Sequence, residues 1–100
     1  MNHFLYKLIP PRPTFASDLS DREAAVMGDH VAYWGRLVEE GVVVVFGPVG
    51  DPSGSWGLAV VEAETEEEVR RLGDEDPAVT SGVATFEIYP MPDAVARHRD

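Results

Sequence analysis

Apolar and polar positions along the chain fall into blocks that read as strand, helix, strand, strand, helix, strand. The first block, Asn2 to Ile9, mixes Phe4, Leu5, Tyr6, Leu8 and Ile9 and then meets Pro10, Pro11 and Pro13, which predicts a strand stopped by prolines. After a polar loop, Ser20-Asp21-Arg22-Glu23 forms a capping box: the Ser20 hydroxyl and the Glu23 carboxylate can each satisfy an unpaired backbone N–H at a helix start. The helix is expected from about Asp21 to Glu40, with Gly41 as its stop. Ala24, Met27, Val31, Trp34 and Val38 lie on one stripe at the three-and-four spacing, and Arg22, Asp29, Arg36 and Glu40 lie opposite. Such a helix covers an apolar surface.

Val42 to Phe46 is a continuous, mostly β-branched run, and Gly47-Pro48 is expected to end or bend it. Asp51-Pro52-Ser53-Gly54 has the composition of a turn, and Ser55 to Glu62 returns as a second strand, giving a hairpin. Thr65 and Glu68 make a second capping box for a short helix through Val69 and Leu72 to about Gly73. Asp76 is placed to cap a further helical turn beginning at Pro77, because a carboxylate accepts from the first free amides and proline suits the first helical position. Val83 to Tyr89 reads as the last strand, closed by Pro90 and Pro92. The domain is assigned to residues 1–92, and the tail from Asp93 to Asp100, which has no apolar face, is expected to fray.

The order β-α-β-β-α-β predicts an α+β, ferredoxin-like antiparallel sheet with its helices on one face. Two helices cover only one face of four strands, yet the strands do not alternate apolar with polar. Val42, Val44 and Phe46 oppose Val43 and Val45, and Trp56, Leu58 and Val60 oppose Ala59 and Val61. Both faces call for burial, so a second subunit is expected to pack its sheet on the first as a homodimer.

Composition narrows the function. One hundred residues make one modest domain. With 18 Asp and Glu against 8 Lys and Arg, the formal net charge is -10, and no basic stripe interrupts the acidity, which argues against nucleic acid and anionic membranes as partners. The chain has no cysteine, which removes disulfides, thiolate metal sites and a cysteine nucleophile. His3, His30 and His98 lack metal-ligand spacing, so no metal or other cofactor is expected. No apolar run is long enough to span a membrane and the N-terminus lacks signal-peptide character, which points to a cytoplasmic protein.

His30 is the first candidate for chemistry. It lies at the edge of the helix stripe beside Met27 and Trp34, so its ring should point towards the sheet. A partly buried histidine satisfied by a backbone carbonyl is one account; a general acid or base is the other, since imidazole titrates near neutrality. The candidate partner is Asp76, whose carboxylate either caps the turn at Pro77 or orients His30, and spacing does not bring the two together. Tyr33 and Trp34 are candidates to line a pocket, with core packing as the alternative. Gly47 and Pro48 are candidates for ligand approach, with a strand bend as the alternative. Lys7 and Arg12, cations near the first strand, are candidates for holding an anionic substrate. The carboxylates at Glu62, Glu64, Glu66, Glu67 and Glu68 read as a solvated helix start that complements the helix dipole.

Taken in order, Leu19 to Glu23, His30-Val31-Ala32-Tyr33-Trp34, Leu37 to Gly41, Gly47-Pro48, Asp76-Pro77 and Gly82 resemble the pattern of the YCII-related (YciI-like) family, over roughly residues 2 to 90. The resemblance implies a dimeric α+β barrel built from ferredoxin-like subunits, and an active site whose histidine and aspartate correspond to His30 and Asp76. Two departures bear on the substrate. Ala78 stands where many relatives carry a large aromatic, which implies a more open pocket wall near Asp76. The proline-rich segment from Pro10 to Asp18 is long for the family and is placed to cover a pocket entrance.

Two functions follow from this reading. One is a cofactor-free isomerase or lyase, dehydrochlorinase-like in the second case, in which His30 oriented by Asp76 moves a proton on a small organic substrate. The other is a non-catalytic dimer that binds a small ligand or accompanies another enzyme, with His30 satisfied inside the core. Haem or metal oxidation chemistry on the same architecture would need His30 as the axial ligand.

Overall fold

The computed structural model describes residues 1–97, so His98 and the end of the expected tail lie outside the described residues. The chain runs β1 (Asn2–Ile9), a 3₁₀ turn (Phe15–Ser17), α1 (Asp21–Glu39), β2 (Val43–Val49), β3 (Trp56–Ala63), α2 (Glu66–Asp74), α3 (Pro77–Thr80) and β4 (Thr85–Pro90). The four strands form one antiparallel sheet in the order β2-β3-β1-β4, the α+β topology read from the sequence. Among the described residues no helix is long and apolar enough to cross a membrane.

Local chemistry sets the helix ends. Both capping boxes form: Ser20 with Glu23 at α1, and Thr65 with Glu68 at α2. At the other end of α1 the Gly41 amide donates to the Val38 carbonyl at 3.1 Å and the Val42 amide to the Leu37 carbonyl at 3.0 Å, a Schellman arrangement. That geometry needs the left-handed φ of +82° that Gly41 adopts, which is why the helix stops there.

The helix-facing side of the sheet carries the core. Phe4, Tyr6 and Leu8 of β1 and Ala59, Val61 and Ala63 of β3 are buried with Trp34 of α1 and Val69 of α2. Gly73 lets α2 come close to the sheet: a Cβ there would stand 2.6 Å from Phe86 Cζ and 2.8 Å from Tyr6 Cε1.

The strand expected to end or bend at Gly47-Pro48 continues through both to Val49. Because β2 is an edge strand, a proline there need not break a central ladder. The irregularity lies earlier, as a register shift between Val43 and Val45 against β3. Elsewhere the bounds move slightly: β3 is Trp56–Ala63 instead of Ser55 to Glu62, α2 reaches Asp74, and β4 begins at Thr85 because the Val83 and Ala84 amides donate to Ser81 Oγ and the Ala78 carbonyl at the end of α3.

The other side of the sheet has no helix. Val45, Val60, Leu5 and Tyr89 stand opposite one another across β2, β3, β1 and β4, a single row over all strands. Val45 is 51% exposed and Tyr89 48%. The His3 ring and the Glu62 carboxylate flank this row at 3.1 Å from each other, and the Lys7 ammonium sits 4.9 Å above the Trp56 ring.

Candidate functional site

The site grows out of three local facts. Alternation along β1 sends Tyr6 into the helix-facing core. His30 and Trp34, one turn apart on α1, project from the same face. Asp76 caps α3, its Oδ1 accepting from the Ala78 amide at 2.9 Å, so its carboxylate is fixed at the junction of α2 and α3.

These elements meet at the carboxylate. Asp76 Oδ2 accepts from the Tyr6 hydroxyl at 2.9 Å and from Trp34 Nε1 at 2.8 Å. His30 Nδ1 lies 2.8 Å from Oδ1 and 3.0 Å from Oδ2. Asp76 is fully buried and His30 is 4% exposed. A buried carboxylate is stable only when its charge is compensated, and here four donors from β1, α1 and the α3 backbone surround it. Burial pushes the Asp76 carboxyl up; the hydrogen bonds from His30, Trp34 and the Ala78 amide outweigh that and hold it below the ordinary carboxylate value. Burial and the neighbouring Asp76 charge push the Tyr6 phenol far up, so Tyr6 remains a donor. The capping role and the pairing with His30 therefore coexist in one carboxylate.

An ionised Asp76 can only accept, so His30 Nδ1 carries the hydrogen that points at it. In the neutral ring this leaves the lone pair on Nε2. Among the described residues Nε2 has no protein hydrogen-bond partner, yet no buried side-chain nitrogen or oxygen is left unpaired, so Nε2 reaches accessible space. That space is a cavity of about 430 Å³, within the usual range for small-molecule sites. His30 lies on its wall with Leu8, Phe15, Met27, Val31, Phe46 and Trp56, and the ring stands 5.4 Å from that of Phe46.

Other residues singled out by the sequence fall on either side of this boundary. Gly47 and Pro48 line the cavity. Trp34 does not: it is fully buried and serves the Asp76 carboxylate, so the expectation that it lines the pocket gives way to core packing. Tyr33 is likewise off the cavity wall, its hydroxyl donating to the Leu72 carbonyl at 2.7 Å, and burial with the nearby Glu75 and Asp76 pushes its phenol up to about 12. The expected opening at Ala78 is not there either, because Ala78 is wholly buried behind Asp76 and away from the cavity.

The Pro10 to Asp18 segment does border the cavity, through Pro10, Phe15 and Ala16. Arg12 ties it down, donating to Glu23 at 2.7 and 2.8 Å and to Asp18 at 2.8 Å, and it holds the Glu23 carboxyl down to about 2. Arg12 is thus occupied, and Lys7 stands over Trp56; neither cation is on the cavity wall. Tyr6 is the site residue that sequence reading missed. Its signal was a phenol at a core-facing strand position, where a buried hydroxyl needs a partner.

Comparison with known proteins agrees with this architecture. The chain is 37% identical over 59 residues to the uncharacterized protein YjpA of Bacillus subtilis (strain 168), an alignment covering 59% of this chain and 67% of that one. Among solved structures it resembles 5-chloro-2-hydroxyhydroquinone dehydrochlorinase (TftG) from Burkholderia phenoliruptrix AC1100, solved in complex with 2,5-dihydroxybenzoquinone. The TM-score is 0.63 at 19% identity, over 86% of this chain and 89% of that chain, a likeness of fold. The YCII-related domain matches residues 4–92, nearly the whole described chain, and the protein belongs to that family.

Proposed function

We propose that the protein is a cofactor-free enzyme that moves a proton on a small organic substrate, with His30 as the catalytic residue and Asp76 as the residue that positions it. The observation that carries this reading is the polarity of the His30 ring: Nδ1–H is held by a buried, four-fold hydrogen-bonded carboxylate while Nε2 faces an apolar cavity. Nε2 takes a proton from an acidic C–H or O–H bond, whose electron pair stays on the substrate. The Asp76 charge stabilises the imidazolium so formed. Return of the proton to another substrate atom completes an isomerisation. Departure of a leaving anion with its bonding pair, followed by loss of the proton to water, completes an elimination. The name of the structural neighbour, a dehydrochlorinase, fits the second course.

The same reading includes a homodimer joined through the open sheet face, since the row Val45, Val60, Leu5 and Tyr89 leaves an apolar surface without a helix above it.

The test of the enzyme is proton transfer itself. The protein is incubated in D₂O with uncharged ring ketones and lactones and, separately, with 5-chloro-2-hydroxyhydroquinone, and deuterium uptake or chloride release is followed. Turnover should appear with the wild type and vanish in His30→Gln and His30→Ala. Absence of turnover from the whole set, or undiminished turnover in a folded His30→Gln, would overturn the reading, and saturable binding without turnover would favour a ligand-binding or accessory protein.

A further inference from the structure

The charge of the cavity wall points to the class of molecule it admits. Among the described residues the wall is formed by Leu8, Phe15, Met27, Val31, Phe46 and other uncharged groups, with no lysine, arginine, aspartate or glutamate. His30 is its one titratable side chain, and directly behind His30 stands a buried carboxylate. The cations nearest in sequence are committed elsewhere, Arg12 to Asp18 and Glu23, and Lys7 over the Trp56 ring. The chain as a whole carries a formal net charge of -10.

From this we infer that the site selects ring molecules that are uncharged before reaction and rejects their carboxylated or phosphorylated counterparts. The inference rests on the proposed proton transfer in one respect: among the described residues, the positive charge the cavity wall can supply is the His30 imidazolium, created by the proton it removes. An uncharged acid enters an apolar cavity without the cost of burying a charge and becomes an anion only when that cation has appeared beside it. A substrate that already carries a carboxylate must bury that charge with no partner and with Asp76 close behind His30. Aromatic side chains on the wall, Phe46 beside His30 and also Phe15, suit a flat ring.

The experiment uses a matched pair of ligands, 1,4-hydroquinone and 2,5-dihydroxybenzoate, which differ by one carboxylate. Each is titrated into the full chain at pH 7, with binding read from amide NMR shifts around Phe46, Gly47 and Val31. Hydroquinone should saturate the site and the carboxylate should bind at least about tenfold more weakly, the order expected for one uncompensated charge. Val31→Lys places an ammonium on the cavity rim, where Val31 is 55% exposed, and should reduce that discrimination to less than about threefold by improving carboxylate binding. Equal binding of the two ligands, preference for the carboxylate, failure of hydroquinone to saturate, or an unchanged ratio in Val31→Lys would overturn the inference. Discrimination without deuterium uptake or chloride release would instead leave the selectivity standing and remove the enzymatic reading, so the two fail separately.

Discussion

The Tyr6 hydroxyl, on the central strand β1, lies 2.9 Å from Asp76 Oδ2, at the cap of α3, and this bond ties the sheet to the residue that orients His30. Removing the hydroxyl leaves the buried carboxylate short of one donor. Tyr6→Phe should therefore lower stability by about 1–3 kcal/mol, measured by urea denaturation at pH 7. A change below about 0.5 kcal/mol would mean that the bond is not holding the carboxylate in place.

Asp76 should also write its ionisation into the pH dependence of stability. Its folded carboxyl is held below its ordinary value of 3.8, so its contribution is present above that pH and is lost as the pH falls through the folded value. Other carboxylates such as Glu23, lowered to about 2 by Arg12, act in the same direction, so the informative quantity is the difference between proteins. Asp76→Asn presents an amide to the Tyr6 and Trp34 donors and should cost about 3 kcal/mol at pH 7. That gap should narrow as the pH falls below 3.8; denaturant melts showing a constant gap would contradict the assignment.

The tautomer of His30 is directly observable. With Nδ1–H donated to Asp76, the neutral ring should show a protonated Nδ1 and an unprotonated Nε2 in ¹⁵N spectra of the imidazole. Asp76→Asn should release that preference, and an Nε2–H ring in the wild type would remove the base from the cavity.

How much of this was visible in the sequence depends on the range of the forces involved. The capping boxes at Ser20 and Thr65 and the stop at Gly41 were legible because each is settled within a few residues. The passage of β2 through Gly47-Pro48 was not, since tolerance of the proline depends on β2 being an edge strand, a property of the whole sheet. Trp34 appeared on the core stripe, but its indole donating to Asp76 depends on α1, α2 and α3 being packed together. His30 and Asp76 were each identifiable as candidates; what joins them is the same packing, which no spacing encodes.

Gly73 is expected to be intolerant of even one added methyl group. A Cβ at 2.6 Å from Phe86 and 2.8 Å from Tyr6 must displace rings that pack on each other at 5.1 Å, so Gly73→Ala should lose about 1–3 kcal/mol and disturb the Tyr6–Asp76 bond. Gly28→Ala, in the middle of α1 with nothing within 4 Å of the new Cβ, should gain about 0.5–1 kcal/mol. Thermal melts in which both variants move in the same direction would contradict the close approach of α2 to the sheet.

The open face of the sheet leads to the last expectation. Val60 pairs with Leu5 on one side and Val45 on the other, which puts it near the centre of the uncovered row. A charge at that position would be solvated in a monomer but buried without a partner in a sheet-to-sheet dimer. Sedimentation should therefore find the wild type as a dimer and Val60→Glu as a monomer whose circular dichroism still shows the α+β fold. The helix-facing core, built on Phe4, Tyr6, Val61 and Trp34, lies on the other side of the sheet and does not depend on Val60 for its packing. A monomeric wild type, or a Val60→Glu variant that remains dimeric, would contradict association through this face while leaving the site at His30 and Asp76 within each chain.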